Sequence, residues 1–212
     1  MISIVDYGMG NLRSVQKAFG FIGKNAIITS DRKKILQSSL VVLPGVGSFS
    51  AAIKNLKKLN LIDTIKNFIA DGKPFLGLCL GLQLLFEQSE EGNCKGLGIL
   101  KGKVKKFNFS HLISHISYPK IPHMGWNNVR LQIADCRLQI FKGIPDNLYF
   151  YFVHSYYVEP REQSIIATTT NYGIQFASSI FYKNIFATQF HPEKSQKNGI
   201  KLLKNYVDYT GN

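Results

Sequence analysis

The stretch Lys73-Pro74-Phe75-Leu76-Gly77-Leu78-Cys79-Leu80-Gly81-Leu82-Gln83-Leu84-Leu85-Phe86 decides how this chain folds. It opens as an apolar run of strand length and closes as a leucine-rich run of helical character. Cys79 stands between them, flanked by Gly77 and Gly81. G-x-C-x-G has the form of the G-x-S-x-G elbow, in which a sharp strand-to-helix turn presents a nucleophile. Small residues are needed at i−2 and i+2, because bulk there would strike the adjacent backbone. The turn also sets a thiol at a helix N-terminus, whose free N–H groups and dipole favour the thiolate. Taken alone, the stretch reads equally well as a cysteine filling space in a core.

The run Gln189-Phe190-His191-Pro192-Glu193-Lys194-Ser195 decides between the two. In an extended segment residues i and i+2 share a side, and proline biases the residue before it toward extended backbone. Glu193 can therefore orient the His191 imidazole while its other nitrogen faces a nucleophile. Nucleophile, base and orienter make the general triad. The bland alternative for His191, a surface histidine in a turn, does not explain its pairing with a cysteine elbow.

Around these runs the first half alternates strand and helix, which predicts a parallel sheet with helices on both faces. Ile2–Val5, Ala26–Thr29, Leu40–Leu43 and Lys73–Leu78 read as strands. Leu12–Phe19 and Ala51–Ala70 read as helices, the second with a break near Asn60 and an apolar stripe of Leu56, Leu59, Ile62, Ile65 and Ile69. Asp31–Gln37 reads as a short helical or polar connection. Tyr7-Gly8-Met9-Gly10-Asn11 falls short of a dinucleotide fingerprint, because Arg13 stands where a third glycine is required. Pro44-Gly45-Val46-Gly47-Ser48-Phe49 follows a strand, and its glycines let backbone N–H groups turn toward a ligand. Ligand sites gather at the carboxyl ends of such strands. The Gly45–Gly47 turn and Cys79 both fall there, which makes the turn a candidate oxyanion hole rather than a plain loop.

Past Gly92, short β-prone runs replace the alternation: Gly102–Phe107, Trp126–Leu131, Asn147–Val153, Ser164–Asn171, Phe176–Tyr182 and Asn184–Phe190. They predict a mixed, largely antiparallel continuation, closed by an amphipathic helix over Ile200–Tyr209. His111 and His115 have a spacing that can present two metal ligands on a helix, but no third ligand lies near, so a polar loop is the better reading.

A length of 212 residues suits one α/β domain spanning 1–212. No run approaches the roughly 18 apolar residues that span a bilayer, and the first residues read as a core strand rather than a signal peptide. Three cysteines, Cys79, Cys94 and Cys136, without framework spacing point to a reducing cytoplasm. The net charge of +13 raises nucleic acid as a partner. Its lysines are scattered, with short clusters at Lys33-Lys34, Lys57-Lys58 and Lys101–Lys106, and no nucleic-acid-binding signature accompanies them. A lysine-rich solvated surface is the better reading.

With these motifs in place, the chain resembles the class I glutamine amidotransferases, and within them the glutaminase subunits of imidazole glycerol phosphate synthase. The matching runs are Asp6–Asn11, Pro44–Phe49, Gly77–Gln83, Pro122-His123-Met124-Gly125-Trp126-Asn127, Tyr151-Phe152-Val153-His154-Ser155-Tyr156 and Gln189–Ser195. They span nearly the whole chain in family order. The last two motifs before the His191 run are the narrower ones.

The resemblance implies an α/β fold with an open mixed sheet, parallel in its N-terminal half and flanked by helices. It implies that Cys79 attacks the glutamine side-chain amide, that His191 protonates the leaving ammonia and then activates water, and that Glu193 holds His191. The Leu80 N–H and an N–H of the Gly45-Val46-Gly47 turn would bind the oxyanion. Gln83, one helical turn beyond Cys79, would bind glutamine together with Glu91, Ser155 and Tyr156. The expected partner is a (β/α)₈-barrel cyclase subunit that receives the ammonia and makes imidazole glycerol phosphate and AICAR in histidine biosynthesis. Met124, Trp126, Asn127, Tyr151 and Lys194 would face it. Trp and Tyr are favoured interface anchors, with a core role as the alternative for Trp126. No cofactor, metal, membrane or nucleic acid is implied. The segment Asn108–Lys120 is longer than the family pattern and is expected to be a surface excursion. Two other readings keep the site but change its biological role. One is a paralogous subunit feeding ammonia to surface-sugar biosynthesis; the other is a stand-alone cysteine hydrolase or peptidase. A basic, non-catalytic binding module is a third, disfavoured by the intact Cys, His and Glu.

Overall fold

The computed structural model describes residues 1–110, 119–132 and 136–211. His111, His115 and the middle of Asn108–Lys120 lie outside the described residues. The first half runs β1 (Ile2–Val5), α1 (Leu12–Phe21), β2 (Ala26–Thr29), α2 (Arg32–Leu36), β3 (Leu40–Gly45), α3 (Phe49–Lys58), α4 (Leu61–Ala70), β4 (Phe75–Cys79) and α5 (Leu80–Leu84). The second half runs β5 (Phe86–Ser89), β6 (Cys94–Lys95), β7 (Leu100–Lys106), β8 (His123–Leu131), β9 (Leu148–His154), β10 (Tyr156–Pro160), β11 (Ile166–Tyr172), β12 (Ile174–Tyr182), β13 (Ile185–Thr188) and α6 (Gln196–Tyr209).

The strands lie in the order β2-β1-β3-β4-β13-β12-β10-β7-β5-β6, with β11, β8 and β9 branching from β12. Parallel pairing joins β2, β1, β3, β4 and β13. Antiparallel pairing dominates beyond β13, although β5 and β7 are parallel. The strands of the parallel sector are covered on both faces, because alternate residues feed two cores. Ile2, Ile4, Leu40, Val42, Leu76 and Leu78 pack with α1 and α6. Val5, Val41, Leu43 and Phe75 pack with α2, α3, α4 and α5. A continuous apolar strand is what such two-sided burial requires.

Helix ends follow their local chemistry. Asn11 caps α1 through Ser14 N, Asp31 caps α2, and Ser48 caps α3 through Ala51 N. The break expected near Asn60 is present: Asn60 is left-handed at φ 54° and separates α3 from α4. It turns Leu59 outward, so Leu59 is 40 % exposed and leaves the predicted stripe, while Leu56, Ile65 and Ile69 are buried. The leucine run after Cys79 is shorter as a helix than its composition suggests. It ends at Leu84 and the chain re-enters the sheet as β5. β10 is a strand that the sequence pattern does not separate from the Tyr151–Tyr156 run.

Two registers position the site. Gly45 pairs with Cys79 across β3 and β4, and Thr188 pairs with Leu78 across β13 and β4. The turn after Gly45, the elbow at Cys79 and the segment leading to His191 therefore leave the sheet side by side, at the carboxyl ends of adjacent parallel strands.

Candidate active site

Cys79 ends β4 and begins the elbow at φ 53°, ψ −104°, a conformation rare for a side-chain-bearing residue. Surrounding structure must hold such strain. The two flanking glycines are part of that hold. A Cβ on Gly81 would land on the Leu43 carbonyl oxygen, and one on Gly77 would lie 3.0 Å from Ala187 Cβ and from the Gly81 carbonyl. The Gly-x-Cys-x-Gly pattern is thus dictated by close contacts with the neighbouring strands β3 and β13 and within the elbow. Cys79 itself is 5 % exposed.

His191 is fixed through its backbone. Its N–H donates to the Tyr151 carbonyl at 2.9 Å. Its carbonyl accepts from Ser195 Oγ at 2.6 Å, and the same hydroxyl accepts from Tyr151 N at 3.0 Å. The imidazole Nδ1 hydrogen-bonds Glu193 Oε1 at 2.8 Å, with both side chains almost fully buried. Pro192 provides the expected extended backbone at His191, φ −101° and ψ 94°. Nε2 is buried and makes no hydrogen bond of good geometry, yet the Cys79 sulfur is near enough to act on it. Burial would lower the imidazole pKa; the Cys79 thiolate and then Glu193 reverse that and raise it to about 10.

The turn after β3 stands on the other side of the elbow. Gly45 has no room for a side chain, because Tyr7 Oη and Leu80 Cβ occupy the place a Cβ would take. Tyr7 is buried and donates to the Pro44 carbonyl at 2.8 Å. Burial, and then the nearby Cys79 charge, push the Tyr7 pKa upward, which keeps the phenol neutral as a donor. Gly47 adopts φ 95°, which favours glycine. Tyr7 is a supporting residue that the sequence pattern does not single out; its only signal is its place in a matching run.

A cleft of about 230 Å³ opens at the sulfur, lined by Val46, Gly47, Cys79, Leu80, Gln83, Glu91, Val153, His154, Ser155 and Tyr156. All four residues expected to bind substrate reach it. Glu91 also anchors the start of α3, where its Oε2 accepts from Phe49 N at 2.9 Å. Gln83 is buried and directs its amide N–H groups inward, to the Tyr156 carbonyl at 3.0 Å and Gln189 Oε1 at 3.1 Å. Sequence reasoning did not single out His154, which lines the cleft, Gln189, which contacts the Cys79 sulfur, or His123, which contacts His154. All three are buried, and nothing in the local sequence shows with what they pair.

The residues expected at a docking surface divide into two groups. Met124 and Trp126 lie on one face of β8 and are 62 % and 45 % exposed, so Trp126 is not a core residue. Trp126 pairs across the sheet with Tyr151, whose ring meets it edge-on at 6.1 Å, and Lys194 Nζ lies 5.9 Å from the Tyr151 ring. Tyr149, 55 % exposed, extends this face. Asn127 points the other way by strand alternation. Its amide donates to the Asn171 carbonyl and contacts His123 Nε2.

Among the described residues no group of three or more His, Cys, Asp or Glu is placed to hold a metal ion. Nor is any described helix long and apolar enough to cross a membrane.

Comparison with known proteins agrees with this geometry. Residues 3–208 match the family model for "Glutamine amidotransferase class-I". The chain is 49 % identical over 212 residues to imidazole glycerol phosphate synthase subunit HisH 1 of Methanococcus maripaludis, covering 98 % of this chain and 99 % of that one. It is 50 % identical over 209 residues to the HisH subunit of Methanocaldococcus jannaschii, with the same coverage of 98 % and 99 %. A crystal structure of a glutamine amidotransferase superposes with a TM-score of 0.73 over 100 % of both chains at 14 % identity, a likeness of fold.

Proposed function

This chain belongs to the class I glutamine amidotransferase family, and from that premise we propose how its residues divide the work. The protein hydrolyses glutamine to glutamate and ammonia as the glutaminase subunit of imidazole glycerol phosphate synthase in histidine biosynthesis. We read residues 1–212 as a single domain, a reading supported by the family match over 3–208.

The Cys79 thiolate attacks the carboxamide carbon of bound glutamine, and the carbonyl oxygen takes the negative charge. The Leu80 N–H at the start of α5 and an N–H of the Gly45-Val46-Gly47 turn receive that oxyanion. Removing one such donor typically costs roughly 10²–10³ in rate. The His191 imidazolium gives its Nε2 proton to the amide nitrogen, the C–N bond breaks and ammonia leaves a thioester. Neutral His191 then takes a proton from water as that water attacks the thioester. The C–S bond breaks, glutamate departs and the thiolate returns. Glu193 holds the ring through Nδ1 and offsets its charge in both half-reactions. Gln83 Oε1, Glu91 and the Ser155–Tyr156 backbone hold the amino-acid end of glutamine.

Ammonia in bulk water would be protonated and lost, so the product has to pass directly to an acceptor. The acceptor is the barrel-shaped cyclase subunit, docked against Met124, Trp126, Tyr151 and Lys194, with Asn127 supporting that face from behind. The protein acts in the cytoplasm and needs no cofactor.

The observation that carries this reading is the buried His191–Glu193 pair, 2.8 Å apart, acting on a cysteine at a strained elbow. The test is glutamate release with and without the cyclase subunit and its nucleotide ligand, together with growth rescue of a histidine auxotroph. Cyclase-dependent glutamate release and rescue are expected. Undiminished activity in Cys79→Ala would refute the nucleophile.

A further inference from the structure

We propose that Gln189 is a further catalytic residue, a hydrogen-bond donor to the Cys79 sulfur, and that the Tyr156 carbonyl, itself held by the buried His123–His154 pair, fixes it in the donating orientation through Gln83. The proposal rests on Cys79 being the nucleophile of glutamine hydrolysis.

The sulfur lies between two polar groups. Val153 carbonyl is 3.8 Å away and accepts from the thiol form. Gln189 Nε2 is 3.6 Å away. Once His191 has the proton, the thiolate can only accept, and Gln189 is the amide positioned to donate. Charge-assisted bonds of this kind are stronger than neutral ones.

An amide can present oxygen or nitrogen to the same neighbour, so its direction needs a cause. The cause is a backbone carbonyl farther along the hydrogen-bond line. Tyr156 O can only accept. It takes a bond from His154 Nδ1 at 2.8 Å and from Gln83 Nε2 at 3.0 Å. With the Gln83 nitrogen so fixed, the Gln189 atom that meets it at 3.1 Å must be the oxygen. The Gln189 nitrogen is then left facing the sulfur.

The same carbonyl dictates both histidines. A neutral His154 with its proton on Nδ1 must accept at Nε2, so His123 Nδ1, 2.9 Å away, must donate. His123 Nε2 then accepts from the Asn127 amide at 3.2 Å, and the second Asn127 N–H goes to the Asn171 carbonyl at 3.0 Å. Every link has one permitted polarity. A second proton on either ring would set N–H against N–H. Burial keeps both rings neutral, lowering the pKa of His123 to about 4 and that of His154 to about 3. His123 stacks on Tyr172 and Phe152, with ring centroids 3.9 and 4.8 Å apart, so its ring cannot turn over freely.

The line is closed at both ends: by the Asn171 carbonyl on β11 and by the nucleophile at the end of β4. His123 and His154 touch no reacting atom and are positioning residues. Gln189 touches the sulfur.

Two substitutions at Gln189 give opposite orders under the two possible roles. Gln189→Leu removes donor and acceptor. Gln189→Glu keeps the acceptor that Gln83 needs but turns a carboxylate oxygen toward the thiolate. In the assembled complex with the cyclase subunit, a donor role predicts that kcat falls about tenfold or more in Gln189→Leu and further in Gln189→Glu. KM for glutamine should stay within about threefold in Gln189→Glu, which keeps the Gln83 acceptor, since the sulfur does not bind the amino-acid end. Iodoacetamide alkylation of Cys79 should slow in the same order. For the positioning pair, His154→Leu should lower kcat, and His154→Asn should recover it by restoring a donor near Nδ1. A Gln189→Leu protein that folds and keeps wild-type kcat overturns the proposal, as does a Gln189→Glu protein faster than Gln189→Leu. Loss of activity in Cys79→Ala alongside either result would show that the donor is wrong and the nucleophile right.

Discussion

The parallel sector, β2-β1-β3-β4-β13, and the antiparallel sector around β8, β9, β10 and β12 place functional groups by different means. In the first, backbone does the placing. Cys79, the Gly45 turn and the approach to His191 leave neighbouring strands in fixed register, and their environment is set by missing side chains at Gly45, Gly77 and Gly81. In the second, side-chain hydrogen bonds do it. His123, His154 and Ser195 meet carbonyls and one another through bonds of 2.6–2.9 Å. The difference teaches that one catalytic centre can draw its strained geometry from a two-sided apolar sheet and its polar alignment from a half-covered one.

The contrast is broken most severely at the sulfur. Cys79→Ala should lower glutamate release by about 10⁴-fold or more while leaving thermal unfolding nearly unchanged. The same variant should bring the His191 pKa, raised to about 10 in part by the thiolate, down toward the ordinary histidine range, as read by imidazole NMR. Next in size is Gly45→Ala, which puts a methyl group where Tyr7 Oη and Leu80 Cβ stand. If backbone does the placing, kcat falls by about 10²–10³ through the displaced turn, measured beside a circular dichroism spectrum that stays native. A rise in KM alone, with kcat intact, would count against it. Trp126→Ala tests the outer face of the antiparallel sector. It should weaken cyclase binding by about 1–2 kcal/mol, roughly five- to thirtyfold in Kd by calorimetry, with little change in stability.

The smallest effect sharpens the comparison through pH. His123 and His154 have folded pKa values of about 4 and about 3 against an ordinary value of 6.5. Between these limits the unfolded chain binds more protons than the folded one, so stability present above pH 6.5 is lost as pH falls toward 3. Urea midpoints measured from about pH 7.5 to about pH 5 should decline, and the decline should be shallower in His154→Asn. An identical slope would remove the buried pair from the account.

The parallel sector is legible in the sequence because its signals are local. Asn60 breaks the helix where it is expected, and the four strand runs and the Cys79 elbow each carry their own punctuation. The leucine run after Cys79 misleads on length. A segment buried on every side has no periodicity that separates a five-residue helix from a longer one. The residues expected to bind substrate come from family likeness, and the structure gathers them in one cleft. Asn127 groups in sequence with Met124 and Trp126, yet strand alternation sends it to the opposite face. The polar line through His123, His154, Gln83 and Gln189 is not legible at all. Two of its contacts join residues 31 and 106 positions apart, and hydrogen-bond partners at such separations leave no mark on local composition.

One consequence follows from where β13 sits. The last strand of the chain is inserted beside β4, in the middle of the sheet rather than at its rim. β13 comes after β5 to β12 in the sequence, so the seam next to the elbow can close only once those strands have been made. Until then His191, which follows β13, has no fixed place beside Cys79. Insertion of β13 is thus the folding event that brings the two runs together.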